Sequence, residues 1–454
     1  MNEKTSSAIE RILSDDFEVQ SDKLQQQPLF DPATDYDKIV LRHREKVDEW
    51  RALADEKKRE YGGNINRYLE DNSVMNPKDK SLTQAKNYSL MKNEVEKRRA
   101  EEINIKSIPL RAVDYKSSLA ELVESLENVD QLKAIYKARK LTTGTSKNAG
   151  ISSEEALKIK NCLIQGRELY FAGSIGSLMV KPLNYFYSVT AYSYGAIILN
   201  SPIRYSKDSL PSSHGMTYLP DVVQCQFGGD SPIGTFSELF SAYPTQIIRS
   251  NGIEFVQDCS DSIVSFYSHR INASIGTLLS MLPEMSNYYS LMTSRRSRAF
   301  PLDIVNANDP RTLVWEFQIG DGTSLPPREV VEKSFPNLEV NERFGKYVVR
   351  VPASQASRVK ALIYSDIEGQ LSFIDNPFFP VLLPEICVHF LLNHVYSCIM
   401  RYRPEEWGSV ILNEVSSDTS LLTRHYFSNF ERKFLLIVLR SLSGYYPNVE
   451  TGGR

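Results

Sequence analysis

Apolar positions along this chain fall mainly three and four residues apart, the spacing that lays one face of an α-helix against a core. Up to about Ile108 the signal is thin. Around "LRHREKVDEWRALADEKKREY" only Ile39, Val40, Val47, Trp50 and Leu53 lie close to one stripe, and Gly62 and Gly63 close the segment. In "LMKNEVEKRRAEE", Leu90, Met91 and Val95 make a narrower stripe still. Interleaved acids and bases fill the other positions, so residues 1–108 read as a charged helical extension that packs on a larger body or on a protein partner. "QQQPLFDP" reads as a link, and the first twenty-odd residues as a short docking segment.

The apolar density rises in residues 109–312, read as the first part of a helical core. Leu119, Leu122, Val123, Leu126 and Leu132 sit at helical spacing before "TTGTSKNAG" interrupts the pattern. "SSEEALKIK" opens the next helix with serine caps and first-turn acids. "KPLNYFYSVTAYSYGAIIL" follows, with Pro182 in the first turn and Leu183, Phe186, Tyr187, Thr190, Tyr194, Ile197 and Ile198 on one face of a central helix. "SPIRYSKDSLPSSHGMTYLPD" is a loop too long to be a plain connection.

In residues 313–373 the period shortens. "TLVWEFQI", "KYVVRVP" and "LSFID" read as strands, while "PPREVVEKSFPNL" and "ASQASRVKALIYS" read as short helices between them, together a small α+β insertion. Residues 374–454 return to helix: Val381 to Met400, a second around Trp407 to Leu412, and "NFERKFLLIVLRSLSG", which Gly444 stops. The fold class expected is mainly α, a multi-helix globular body carrying that insertion and the charged extension.

Composition narrows the setting. With 454 residues, 41% of them hydrophobic, the chain buries large cores, and a formal net charge of −3 supplies no overall field for nucleic acid or an anionic membrane. Cys162, Cys225, Cys259, Cys387 and Cys398 lack CxxC spacing and read as reduced, buried thiols. The N-terminus has no apolar signal region, and the longest apolar stretch, Phe378 to Met400, is broken by Pro380, Pro384, Glu385, His389, Asn393 and His394. A cytoplasmic protein with no membrane span, no cofactor and no metal is the expectation.

Candidate chemistry centres on two stretches. In "LLNHVYSCIMRYRPEEW", His389 and His394 are five residues apart, about 140° round a helix, which argues against a shared metal. Arg401 and Arg403 fall in the last turn, where they complement the carbonyl end, Pro404 stops the helix, and Trp407 packs back on the core. The alternative for the arginines is an anion site, since a guanidinium grips carboxylate or phosphate bidentately. In "SSHGMTY", His214 precedes a glycine in the long loop, with Ser212, Ser213 and Tyr218 as nearby donors; a ligand contact competes there with a turn that caps a neighbouring helix. Phosphate-loop, dinucleotide, zinc-protease and serine-hydrolase signatures are absent. None of the six histidines follows an arginine at the spacing of an active HEPN-type ribonuclease. Arg295, Arg296 and Arg298 in "SRRSR" are the densest basic cluster, a nucleic-acid contact or a solvated surface.

Taken in order, "SLMVKPLNYFYSVTAYSYGAIIL", "SSHGMTYLPD", "RYRPEEWGSVI" and "ERKFLLIVLRSL" resemble the YaaC-like family of bacterial proteins, over roughly residues 155 to 445. The resemblance implies a helical fold in which Pro182, Gly215, Tyr402, Pro404 and Trp407 are motif positions, and it carries no reaction. Two functions are expected from this reading. One is a non-catalytic interaction or scaffold subunit of a bacterial multi-protein system, with anti-phage defence as one setting. The other is an enzyme or sensor that binds an anionic ligand through the His214 loop, Tyr218, Arg401 and Arg403, which requires distant segments to meet.

Overall fold

A computed structural model describes residues 13, 15–21, 106–111, 115–143, 150–201, 205–250, 253–306, 312–317, 325–343, 345–412, 417–443 and 445–450. The two charged helices expected between residues 39 and 95 lie outside the described residues, as do the "QQQPLFDP" link and Gly444.

The leucine pattern before residue 143 belongs to two helices, α1 (Tyr115–Ser125) and α2 (Val129–Thr143). They part at Asn128, whose side-chain carbonyl accepts the backbone N–H of Asp130 and Gln131 at 2.9 and 3.0 Å. α3 (Ser153–Ile175) begins with the reciprocal Ser152–Glu155 capping box, as its serines and acids predict. α4 (Lys181–Asn200) carries Pro182 in its first turn and packs along α3. The two backbones approach closely at Gly166, where a Cβ would stand 2.9 Å from the Tyr192 ring.

The expected single buried face of α4 is a correction. Tyr187 is 40% exposed and Leu183 and Tyr194 are only partly buried, while Tyr185, Val189, Tyr192 and Ala196 are fully covered. A helix enclosed by α3, by α5 (Thr235–Ser241) and by α10 (Glu385–Tyr402) is apolar round most of its circumference, so its stripe indicates little about orientation. The remaining helices are α6 (Ser260–Ser268), α7 (Ile275–Ser280), α8 (Ser286–Thr293), α9 (Arg328–Ser334), α11 (Pro404–Ile411) and α12 (Ser417–Leu442).

Strands are more numerous than the sequence reading allows. β1 (Phe17–Ser21), β7 (His269–Ser274), β4 (Gln224–Gly228) and β3 (Thr217–Leu219) form an antiparallel sheet in that order, inside the part read as purely helical. The start of the chain thus docks as a strand on its own body. β2 (Lys106–Arg111) pairs in parallel with β14 (Tyr445–Glu450), and β5 (Thr245–Ser250) pairs antiparallel with β6 (Ile253–Asp258).

The α+β unit is a six-stranded antiparallel sheet, β10-β11-β9-β8-β13-β12, built from β8 (Ala299–Asn306), β9 (Thr312–Phe317), β10 (Val340–Arg343), β11 (Lys346–Pro352), β12 (Leu362–Ser365) and β13 (Leu371–Ile374). It starts at residue 299 rather than 313. "ASQASRVKALIYS" is not a helix: residues 353–358 make a short 3-10 turn, and Leu362, Ile363 and Tyr364 are buried in the edge strand β12, where a short apolar run serves either element. Its core holds Trp315, Phe335 and Val349, and a larger core joins the helices to the first sheet. The chain is helix-rich with several antiparallel sheets. Among the described residues, no helix is long and apolar enough to cross a membrane. All five cysteines are buried and free.

Candidate functional site

Helix α10 is the element on which the candidate residues hang. His394, Cys398 and Arg401 are four and three residues apart and share one face, while His389 turns to the opposite side, towards α12. The two histidines are therefore not co-ligands, and among the described residues no group of three or more His, Cys, Asp or Glu side chains is placed to hold a metal ion.

The His214 loop reaches this face because its backbone is pinned to α5. The carbonyls of Ser213 and His214 accept the N–H groups of Thr235 and Phe236 at 2.8 and 2.9 Å. Gly215 has φ +77°, and a Cβ on it would stand 3.0 Å from the Gly234 Cα, so only glycine permits this crossing. The backbone caps the helix, and the imidazole is left to face inward. Its ring lies 4.9 Å from Phe186 and 6.1 Å from His394, centroid to centroid. β3 carries Tyr218 opposite Cys225, with Arg403, Cys398 and Glu406 as the charged and titratable neighbours of its phenol. The loop and the end of α10, nearly two hundred residues apart in sequence, thus meet.

The arginines also serve the helix end. Arg401 donates from Nε to the Ser397 carbonyl at 3.2 Å and from Nη2 to the Cys398 Sγ at 3.6 Å, and its guanidinium lies over the exposed Tyr402 ring. Arg403 donates to both Glu406 carboxylate oxygens at 3.1 and 3.2 Å. After Pro404 opens α11, Trp407 is buried against Tyr396 and Phe427.

A guanidinium only donates, so the Cys398 sulfur accepts from Arg401; in its 3.7 Å contact with His394 Nε2 the donor depends on the imidazole tautomer. Burial first, then the neighbouring His214 and Arg401, hold the His394 pKa down to about 3, so the ring is neutral. Its Nδ1 is buried and has no hydrogen-bond partner among the described residues. His214 Nδ1 and the Tyr218 hydroxyl are likewise buried without a partner. Burial, then Arg401, lowers the His214 pKa, and burial raises Tyr218 to about 12. Cys398 and His394 have the composition of a nucleophile and base, but burial raises the thiol and depresses the imidazole, so the proton stays on sulfur.

Reasoning from sequence placed His214, Tyr218, Arg401 and Arg403 on the candidate roll and the structure brings them together. It weighed His394 only as a metal partner of His389, read Cys398 as a buried thiol and Phe186 as a core position, and did not name Glu406. The 394/398/401 spacing was the available signal for the first two. The basic cluster is engaged elsewhere: Arg295 donates to the Leu13 carbonyl, Arg296 to the Leu325 carbonyl, and Arg298 pairs with Asp15 at 2.9 Å and Asp375 at 3.4 Å.

A helix-rich body with antiparallel sheets, whose central helix ends in a half-buried, donor-rich polar cluster, defines the class. The chain belongs to the YaaC-like protein family, whose model matches residues 122–442. The match reaches back into α1 and leaves the charged extension outside. No curated protein and no solved structure matches the chain significantly.

Proposed function

We propose that the protein binds a small oxyanion, a phosphate or carboxylate group, between the His214 loop and the end of α10, and acts as a sensor rather than a catalyst. The observation that carries this is a set of three buried polar atoms without a partner, His394 Nδ1, His214 Nδ1 and the Tyr218 hydroxyl, beside two arginines: an unsatisfied buried polar group costs roughly 1–3 kcal/mol, and an oxyanion accepts from each of them that carries a proton. Tyr218 and the arginines add further donors, and Phe186 supplies an apolar wall. The test is calorimetric titration of the full chain with inorganic phosphate, acetate and mononucleotides. Saturable binding that Arg401→Ala and His394→Phe each weaken at least tenfold is expected; no heat with any of them, or binding indifferent to both changes, removes the reading.

An interaction or scaffold subunit of a bacterial assembly is the second reading, and anti-phage defence stays within it as a setting. It is favoured by the apolar turn between α3 and α4, where Ile175 is 88% exposed and Met179 and Val180 46% each. Changing Ile175 to Glu is expected to abolish co-purification of a stoichiometric partner from the source cell while leaving oxyanion binding intact.

A further inference from the structure

At the opposite end of α10 a second polar cluster lies in the core, and it is charged. Lys433 on α12 is 1% exposed, and its ammonium contacts Glu385 at the start of α10 and Glu284, 2.6 Å away in the turn at residues 283–285. His389 Nε2 stands 3.9 Å from the Glu385 carboxyl, with its Nδ1 3.3 Å from the Tyr426 hydroxyl. From the sheet, Tyr364 and Asp366 face the same cluster, and from α12 Arg440 faces it while bonding Ser365 at 2.9 Å. Tyr115 on α1 and His425 and Arg432 on α12 stand on its outer side, beside Glu284.

The charge count is the argument. Two carboxylates share one ammonium; the next groups out, Asp366 and Arg440, cancel, Arg432 is exposed and screened by solvent, and His389 is held neutral by burial. Fully ionised, the cluster carries one uncompensated negative charge in the core, which a low-dielectric interior penalises heavily. We propose that Glu385 holds a proton at neutral pH, making this cluster a pH-sensitive latch between the 283–285 turn, α10 and α12. With the proton in place the cluster is neutral and closed. Once it is lost, the two carboxylates repel each other across Lys433 and the latch loosens. The direction found for Glu385, raised to about 7 by burial against the opposing pull of Lys433, agrees with the count.

The sign of the linkage is opposite to that of a simple ion pair. The folded chain holds a proton that an unfolded glutamate has released, so unfolding releases it and stability falls as pH rises from the unfolded value to about 7. Glutamine mimics the protonated carboxyl. The experiment is urea unfolding of the full chain and of the Glu385→Gln and Glu284→Gln variants across pH 5 to 9. The expected result is that at least one variant exceeds the wild type by a margin that grows from pH 5 to pH 8.5, and differs from it in proton release on unfolding by about one proton near pH 6. If both variants are less stable than the wild type by the same amount at every pH, both carboxylates are ionised and the latch does not exist. Should neither variant fold, infrared spectra of the wild type with 13C-labelled glutamate carboxyls decide it: a protonated carboxyl band at pH 7 that titrates away by pH 9 is expected, and its absence overturns the proposal.

Discussion

At its start α10 meets charge with charge: Glu385, Lys433 and Glu284 lie within contact of one another, and Asn393 and His389 share the Tyr426 hydroxyl. Three turns further on, the same helix presents His394 and Cys398 to a loop, with Arg401 as the charged neighbour and His394 Nδ1, His214 Nδ1 and the Tyr218 hydroxyl without partners. Both regions are buried and both hold orphaned polar atoms, His389 Nε2 and Asn393 Oδ1 in the first, so the difference is one of charge pairing. In the first, the ammonium meets carboxylates supplied by other segments of this chain. In the second, the Arg401 guanidinium meets a carbonyl and a thiol instead of a carboxylate, which leaves its charge available to an anion.

The largest effect expected from separating these roles is at Lys433. Lys433→Met leaves two carboxylates facing each other without a cation, and breaking a buried pair this way costs roughly 3–5 kcal/mol. The loss is expected to be greater at pH 8 than at pH 5.5, because protonation relieves it. Urea unfolding at the two pH values measures it; an equal, small loss at both would mean that the ammonium contributes only packing.

Trp407→Ala is expected to cost a similar roughly 3–5 kcal/mol, the range for deleting a fully buried ring. The ring packs beneath the last turn of α10, against Tyr396 and Phe427. If the variant melts like the wild type, the end of α10 is not held from below and the geometry of the second region has another origin.

How much of this contrast is legible in the sequence depends on the range of the signals. Helix ends are local, and Pro182, Ser152 and Pro404 stand where their types predict, while Pro384 caps α10, which therefore starts at Glu385 and not at Val381 as expected. The His-Gly loop was singled out because glycine beside histidine in a long loop has few other uses, and the crossing with Gly234 explains why that glycine is there. The pairing of Glu385 with Lys433, and of His394 with His214, has no local signature: each joins residues that only the packing of α4, α10 and α12 brings together. The sheets were lost for a related reason. β4, β7 and β8 alternate buried and less buried positions, but over only five to eight residues, and so short a run does not stand out from the helical pattern around it. The Asn-Gly pair at 251–252 in the sequence was a readable hairpin signal and passed unread.

A third effect separates the two histidines of α10 from ordinary surface imidazoles. His389 and His394 are both held neutral, with pKa values of about 3 in the folded chain and near 6.5 unfolded, mainly through burial. The unfolded chain therefore takes up protons that the folded chain refuses, so their contribution is complete above pH 6.5 and is lost as pH falls towards 3. Acid unfolding is expected to absorb about one proton for each ring over that window. His394→Gln keeps a polar group beside the Cys398 thiol and is expected to remove one of the two. A slope unchanged by the substitution would place His394 in solvent.

The smallest effect on stability is expected at His214, and it is the most informative. The loop is fixed by its backbone, through the Ser213 and His214 carbonyls and the Gly215 crossing, so the imidazole is not what holds it. His214→Ala gives up an edge contact with Phe186 and should cost less than about 1 kcal/mol. Oxyanion binding, by contrast, should fall by about tenfold or more, the worth of one good hydrogen bond to a charged group. Measuring the melting temperature and the phosphate affinity on the same preparation separates the outcomes. A stable variant that has lost binding makes His214 part of a ligand site; a variant that has lost several kcal/mol of stability makes the ring a structural plug, and the second end of α10 becomes a joint like the first.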